Sequence, residues 1–401
     1  MQTPFFDQVS GNDITRAICW TLVHSCWQGL LLAVFGGLVV MLTKSQRPLL
    51  RYNLLSGLFL LFVMSACITF VIELLQPKAT TTLSTLAITS ATNETGISFS
   101  KHLNHTLLPV FENFMNGLSS YFDKYAAIIV AIWFIIFITR FIKIISGLTY
   151  IERIRHQKTR EPIDYWKNRI QELKIILNIK KPVLLMESGL IQVPLAIGWL
   201  KPVILVPLGL LTHLPSEQLE AILLHELAHI KRKDYFVNLA QSFAEIIFFF
   251  NPAVLWISSL IREERENSCD DLAIAITKNK TKFVQALVTF QEYNNAAKYA
   301  MSFPGRKNQL LNRVKRIIHN SNTSLDSIEK AFILSCCFFI GLLTIIVPSS
   351  SGNNSLTKIK QLSSTSFHQS EVDTQYIKPP AGKGSSIRKN LYQKRLPVIT
   401  N

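Results

Sequence analysis

The stretch "ILLHELAHIKRKD", residues 222–234, carries two histidines and a glutamate at the spacing of a zinc-hydrolase site. On a helix, side chains four residues apart project from one face, so His225 and His229 can bind a single metal ion. Glu226 directly follows the first histidine, where its carboxylate can accept a proton from a water molecule that the metal activates. The spacing therefore predicts metal-assisted hydrolysis, with a peptide bond as the expected target. The alternative is a charged helix face with two structural histidines, which the surrounding leucines disfavour because an unpaired glutamate among apolar residues costs free energy.

A catalytic zinc ion normally has a third protein ligand, and two glutamates downstream of the motif are candidates for it. Asn251 and Pro252 resemble the N-cap and first residue of a helix that carries Glu266. Asp270 lies one helical turn after Glu266 on the same face, where it can orient a ligand histidine. Glu245 lies in an aromatic helix, and we expect it to pair elsewhere in the fold. The sequence therefore favours Glu266 over Glu245 as the third ligand.

The elements that must position these residues indicate an α+β domain. A charged helix is predicted over residues 163–177, and Gly198 and Pro202, which lie between two later strands, suit a hairpin or a bent edge strand. An edge strand there could pair with an extended substrate, and we expect Ile197→Pro to remove a ladder donor and to lower cleavage without loss of zinc. The β-like runs that follow the charged helix are "PVLLMES", "VPLAIGWL" and "PVILVPLGLL".

The composition of the chain excludes an ordinary soluble enzyme. Of 401 residues, 48% are hydrophobic and only 17% are charged, with a mean hydropathy of +0.25. A helix of about 20 apolar residues crosses a bilayer. A further apolar stretch, residues 236–257, is not predicted to cross, because His225 and Glu266 would then lie on opposite sides of the membrane. The segments that meet or approach the required length are residues 18–42, 54–75, 125–145 and 331–347.

The distribution of lysine and arginine predicts the orientation in the membrane. Basic residues are concentrated after the first span and after the third, so both regions should be cytoplasmic. We interpret the net charge of +16 as a sign of this topology, and we expect no direct binding of nucleic acid. The predicted order is a membrane domain over residues 1–145 with an external loop over 76–124, a cytoplasmic peptidase domain over 146–330, a last span over 331–347 and an external, mostly disordered tail over 348–401.

These motifs resemble the BlaR/MecR-type membrane metallopeptidases, which are bacterial sensor-transducers and antirepressors of the β-lactam response. The resemblance extends over most of residues 14–347. It implies a mainly α membrane protein with four transmembrane helices and a cytoplasmic, gluzincin-like zinc metallopeptidase domain. The stretches that carry it are "WTLVHSCWQG", "RYNLL", "VPLAIGWLKPVILVP", "HELAHIKRKD" and "FFFNPAVLWISSLIREERENSCDDLA". By motif position, it implies that His225, His229 and Glu266 bind Zn²⁺, that Glu226 is the general base and that Asp270 orients a ligand histidine.

The function expected from this resemblance is a zinc endopeptidase of the bacterial cytoplasmic membrane that relays a signal by cleaving a cytoplasmic repressor, itself, or both. The expected partners are the lipid bilayer, a protein substrate such as a winged-helix repressor, and a second copy of the chain if it forms a homo-oligomer. Two alternatives remain open. One is a constitutive quality-control protease resembling the prenyl-protein and heat-shock endopeptidases, and the other is a non-enzymatic transducer or scaffold.

The carboxy-terminal segment departs from the family pattern. Residues 348–401 are too few and too polar to form a penicillin-binding sensor domain. We therefore expect that this segment neither binds β-lactams nor is acylated by them, and that the β-lactam stimulus does not carry over with the peptidase module.

Overall fold

The structure, a computed structural model, is mainly helical and describes residues 10–75, 99–198, 200–296, 305–320, 322 and 324–346. A small sheet lies between the third helix and the helix that carries the histidine motif. The elements of the described residues are α1 (Gly11–Leu42), α2 (Pro48–Leu75), α3 (Phe99–His156), β1 (Thr159–Arg160), α4 (Asp164–Ile176), β2 (Leu184–Ser188), β3 (Leu195–Ile197), β4 (Val203–Pro207), α5 (Leu210–His213), α6 (Ser216–Arg232), α7 (Asp234–Ile247), α8 (Pro252–Thr277), α9 (Lys280–Ala296), α10 (Gly305–His319) and α11 (Ser327–Ile346).

Within the described part of the chain, three helices are long and apolar enough to cross a membrane. They are α1, α2 and residues Asn116–Arg155 of α3, and each contains one of the first three predicted spans. The fourth predicted span, residues 331–347, corresponds to α11, and its crossing of a membrane stays a prediction. The predicted tail, residues 348–401, and residues 76–98 of the predicted external loop lie outside the described residues.

Helix α3 extends beyond both ends of the third predicted span, residues 125–145. The segment predicted as an external loop is helical from Phe99 onwards, and the helix continues past residue 145 to His156. Its 58 residues correspond to a length of about 87 Å, roughly three times the thickness of the hydrocarbon core of a bilayer. Hydropathy marks where a chain leaves the apolar phase, whereas a helix ends only where its hydrogen bonding is interrupted. No proline occurs between residues 110 and 161 to interrupt it.

The sheet has the strand order β1-β2-β4-β3. Strands β2 and β4 are parallel, while β1 pairs antiparallel with β2 and β3 pairs antiparallel with β4. The predicted hairpin between the last two strands is confirmed, and Gly198 at its start has a φ of +81°, which a residue with a Cβ atom rarely adopts. Strand β3 is therefore an edge strand, and it lies against α6.

Helix α6 is fixed by an apolar core on the faces that do not carry the histidines. Its leucines are fully buried among side chains of α4, of β4 and of α9. A fully buried leucine stabilises a fold by about 1.5–3 kcal/mol relative to an exposed one. The position of α6 against the sheet is therefore strongly determined. The leucines concerned are Leu219, Leu223, Leu224 and Leu227.

The apolar stretch over residues 236–257 is divided between two helices and is not a single span. Helix α7 ends before Phe248, and α8 begins after Asn251. The predicted N-cap is confirmed, because Oδ1 of Asn251 accepts hydrogen bonds from the amides of Ala253 (3.1 Å) and Val254 (3.3 Å). Its Nδ2 also donates to the carbonyl of Ser25 at 2.8 Å, so the same side chain caps α8 and attaches it to α1.

The contact between α1 and the cap of α8 requires glycine at residue 29. A Cβ atom there would lie less than 3.0 Å from three side-chain atoms of Asn251. We expect Gly29→Ala to destabilise the protein by roughly 1–3 kcal/mol, because overpacking displaces the capping side chain. Gly57→Ala is the matched control, since a Cβ atom at Gly57 would have no neighbour within 4 Å. Thermal melting in detergent should show a lower midpoint for Gly29→Ala alone, and equal midpoints would contradict the prediction.

Candidate metal centre

Helices α6 and α8 bring the three predicted ligands together. The Nε2 atoms of His225 and His229 lie 3.2 Å apart. Oε2 of Glu266 lies 3.5 Å from Nε2 of His225, and Oε1 of Glu266 lies 3.9 Å from Nε2 of His229. One donor atom of each residue lies within 4.8 Å of the others. Two imidazole nitrogens and a carboxylate oxygen that converge in this way are a donor set that fits a zinc ion.

Each histidine has a buried carboxylate behind it. Nδ1 of His225 lies 3.0 Å from Oδ1 of Asp270, and Nδ1 of His229 lies 2.8 Å from Oδ2 of Asp234. A carboxylate at Nδ1 favours the tautomer with the proton on that nitrogen, which leaves Nε2 free to bind a metal. The contact predicted for Asp270 is present, and its role toward a metal stays a prediction.

The partner of His229 was not identified from the sequence. Asp234 ends the quoted motif stretch, five residues after His229, a spacing that does not place two side chains on one helix face. The chain brings them together because Lys233 has a φ of 60° and a left-handed conformation, which ends α6 and starts α7 at once. A lysine carries no sequence signal for that conformation, so the contact could not be predicted.

A second residue that the sequence analysis missed is Arg313 of α10. Its Nε donates to Oδ2 of Asp270 at 2.9 Å and its Nη2 donates to Oδ1 at 2.5 Å. Its Nη1 also lies 3.8 Å from Oε2 of Glu266. This paired contact fixes the plane of the Asp270 carboxylate, so that one oxygen atom faces His225. No motif surrounds Arg313, and it lies 43 residues along the chain from Asp270.

The electrostatics of the centre favour positive charge between the two helices. Burial disfavours the protonated imidazole of His225, but Asp270 and Glu266 outweigh burial and raise its pKa to about 10. Burial likewise opposes ionisation of Asp270, whereas Arg313 and His225 lower its pKa to about 2. The pKa of Glu266 is also lowered, against the effect of burial, by His225, His229 and Arg313. The carboxylates are therefore ionised at neutral pH, and they stabilise a positive charge at the ligand atoms, which is either the proton on Nε2 of His225 or a metal ion that replaces it.

The predicted base faces the same space. Oε2 of Glu226 accepts a hydrogen bond from the amide of Ala196 in β3 at 3.1 Å. Glu226, His229 and Glu266 line a cleft of about 420 Å³, whose other walls come from β3, α3 and α7. The cleft is large enough for part of an extended peptide, and its lining includes Glu226, two of the three candidate ligands and the edge strand β3.

The structure separates the two candidates for the third ligand. Glu245 lies away from the histidines and pairs with Arg262, whose Nη2 lies 2.6 Å from its Oε1. The hydroxyl of Ser258 also donates to this oxygen. The expectation that Glu245 pairs elsewhere in the fold is therefore confirmed, whereas Glu266 is the glutamate that lies with the histidines.

Comparison with known families agrees with this geometry. A family model described as BlaR1 peptidase M56 matches residues 29–317, which is more than half of the 401 residues. The chain belongs to the BlaR1 peptidase M56 family. This confirms the resemblance to BlaR/MecR-type metallopeptidases. Membership of the M56 family implies a metal, and the cluster of His225, His229 and Glu266 offers a place for it.

Three relatives of this M56 chain show how far the similarity extends. "Regulatory protein BlaR1" of Staphylococcus aureus is 26% identical over 258 residues, which are 62% of this chain and 43% of the relative. The protein of the same name from Bacillus licheniformis is 25% identical over 178 residues, 43% of this chain and 29% of the relative. "Methicillin resistance mecR1 protein" of Staphylococcus aureus is 28% identical over 147 residues, 34% of this chain and 24% of the relative. The chain thus spans less than half the length of these relatives.

Substitution of single carboxylates should separate ligands from supporting residues. We expect Glu266→Ala to lose the metal, because it removes one of three donors. Asp234→Asn and Asp270→Asn should each weaken metal affinity by roughly 10- to 100-fold, because they remove the partner of a ligand histidine. Glu245→Ala is the matched control and should retain the metal. The measurement is zinc content by atomic spectroscopy on detergent-purified protein, with affinity from chelator competition. Loss of zinc in Glu245→Ala with retention in Glu266→Ala would reverse the assignment.

Proposed function

We propose that this chain is a membrane zinc endopeptidase in which His225, His229 and Glu266 bind Zn²⁺ and Glu226 is the general base. The observation that carries the proposal is the convergence of these three donors beside a cleft that His229, Glu266 and Glu226 line. Membership of the BlaR1 peptidase M56 family supports it. The chain is a multi-pass protein of the bacterial cytoplasmic membrane with four spans, with its peptidase domain over residues 146–330 in the cytoplasm and with an external amino terminus and tail.

Glu226, Asp234 and Asp270 have separate roles in the proposed peptide hydrolysis. A bound zinc ion would supply a Lewis acid that activates a water molecule and polarises the peptide carbonyl. Glu226, with one oxygen anchored on the amide of Ala196, accepts the proton of the attacking water and returns it to the leaving amine. Asp234 and Asp270 retain the Nδ1 protons of the histidines, so that both Nε2 atoms face the ion.

Substrate docking on β3 remains part of the proposal, but the residue expected to supply the donor changes. The amide of Ala196 donates to Glu226 and therefore points away from β4. Successive amides of a strand point in opposite directions, so the amide of Ile197 faces β4 and belongs to the sheet. We therefore propose that Ala196, and not Ile197, presents the backbone groups to which a substrate strand docks. An extended substrate that adds to this edge would meet the outward backbone groups of Ala196.

The proposed role is regulatory, through cleavage of a cytoplasmic repressor, of the chain itself, or of both. The relatives from Staphylococcus aureus and Bacillus licheniformis are named as regulatory proteins, which supports this class of role. The cleft opens beside α3, the helix that contains the third candidate span. A rearrangement of the membrane helices would therefore reach a wall of the substrate site directly.

Glu226→Gln separates chemistry from metal binding. The amide has the shape of the carboxylate but cannot accept the proton, so we expect about one zinc ion per chain and no cleavage. Glu245→Ala serves as the control with normal zinc content and cleavage. The assay follows hydrolysis of a candidate winged-helix repressor and of the chain itself, alongside zinc analysis. Cleavage at the wild-type rate by Glu226→Gln would remove Glu226 from the mechanism, and a wild type that binds no zinc would favour the scaffold alternative.

Proline substitutions test the direction of the β3 amides. Ala196→Pro removes the outward amide, which also holds Oε2 of Glu226, so we expect slower cleavage at unchanged zinc content and melting temperature through loss of the docking edge, of the anchor of the base, or of both. Ile197→Pro removes a hydrogen bond of the ladder, so its melting temperature should fall as well. Turnover by Ala196→Pro that equals the wild-type rate would rule out this edge as the docking strand.

A further inference from the structure

The stretch "RYNLL" stands out in the sequence, yet the proposed mechanism gives it no role. Its first two residues, Arg51 and Tyr52, lie in the first turns of α2, a helix long and apolar enough to cross a membrane. Both are buried, and Arg51 is 0% exposed. A fully buried arginine is rare unless it is paired, so its partner is informative.

Arg51 contacts the helix that carries the candidate glutamate ligand. Its Nη1 lies 3.2 Å from Oε1 of Glu264, and both side chains are only 1% exposed. Glu264 precedes Glu266 by two residues on α8. A buried polar contact of this kind resists separation, because separating two buried polar groups leaves each without this partner in an apolar surrounding. Arg51 thus fixes α8 to α2 within one turn of the metal centre.

Tyr52 is connected to the ligand histidine His229 through Arg232 and Asp234. The guanidinium of Arg232, at the end of α6, lies 4.4 Å from the centroid of the Tyr52 ring. Nε of Arg232 donates to Oδ1 of Asp234 at 3.3 Å. Oδ2 of Asp234 lies 2.8 Å from Nδ1 of His229. The ring of Tyr52 therefore supports the orientation of a ligand histidine through Arg232 and Asp234.

We propose that Arg51 and Tyr52 are positioning residues of the metal centre, which hold α8 and the end of α6 at a fixed separation. They are neighbours on one rigid helical turn, yet one reaches α8 and the other reaches the His229 side of the centre. Helix α2 thereby connects a candidate membrane span to both halves of the ligand set. A displacement of α2 changes the distance between the histidine pair and Glu266. The proposal rests on the proposed function, in which these residues bind the metal.

Cobalt binding to the full chain in detergent tests the proposal without an activity assay. Co²⁺ replaces Zn²⁺ in such sites, and its visible absorption reports the geometry of the ligands. We expect Tyr52→Leu to bind Co²⁺ roughly 10-fold more weakly than the wild type and to give an altered absorption spectrum. Tyr52→Phe retains the ring and should restore both properties. Arg232→Met should resemble Tyr52→Leu, and the double variant should be no worse than either, because both act through one contact.

A control elsewhere in the fold distinguishes positioning from loss of packing. Phe249 also has a guanidinium over its ring, that of Arg140 at 5.1 Å from the ring centroid. Neither residue belongs to the cluster of His225, His229 and Glu266. Phe249→Leu should therefore leave Co²⁺ affinity and spectrum unchanged. If Tyr52→Leu does not fold, Arg51→Lys is the variant that tests the proposal. It retains the positive charge but loses the geometry of the guanidinium, so we expect it to bind Co²⁺ more weakly than the wild type.

The outcomes separate this inference from the proposed function. Wild-type affinity and spectrum in Tyr52→Leu, or in Arg51→Lys if that variant decides, would overturn the positioning role while leaving the metal centre intact. Equal changes in Phe249→Leu and Tyr52→Leu would also overturn it, because the effect would then be general to packing. A wild type that binds no Co²⁺ and no Zn²⁺ would instead overturn the proposed function.

Discussion

The contact between His225 of α6 and the two carboxylates of α8 is the interaction on which the centre depends. Asp270 and Glu266 lie one turn apart and face the two nitrogens of one imidazole. Buried carboxylates are costly in free energy unless they have cationic partners, and here His225 and Arg313 supply them. Because these charges compensate one another only when α6, α8 and α10 are all in place, the polar cluster specifies one arrangement of the three helices.

Helix α8 connects this polar cluster to the apolar helices by packing against them. Its first half packs in the same cluster as buried side chains of α1 and α2, including Leu55 and Phe59, while Ala273 near its end belongs to the core around α6. A helix is stiff over 26 residues, so packing at its two ends determines where Glu266 lies between them. The candidate membrane helices α1 and α2 and the helix α6 that carries the histidines are therefore both packed against α8.

The edge strand gives the centre an open side. An unpaired strand edge is a site at which another chain can add. In this fold α6 lies against this strand, and Glu226, the proposed base, accepts a hydrogen bond from the outward amide of Ala196. In the proposed function, a substrate backbone in the cleft lies beside this carboxylate and beside His229 and Glu266. The same few residues of β3 and α6 would then determine both how the substrate docks and where it is cleaved.

The sequence by itself determined the local features of this protein. The pair His225 and His229, the Asn251 cap of α8, the first three apolar helices and the hairpin at Gly198 all follow from periodicity or from one residue's conformational preference, which act over a few residues. The preference for Glu266 over Glu245 also had a local basis, in Asp270 one turn away. Only the tertiary structure placed Asp234 behind His229 and Arg313 on Asp270, and only it showed which amide of β3 faces outwards. Such contacts join residues across a reversal of the chain or between distant helices, and they depend on packing that no local pattern encodes.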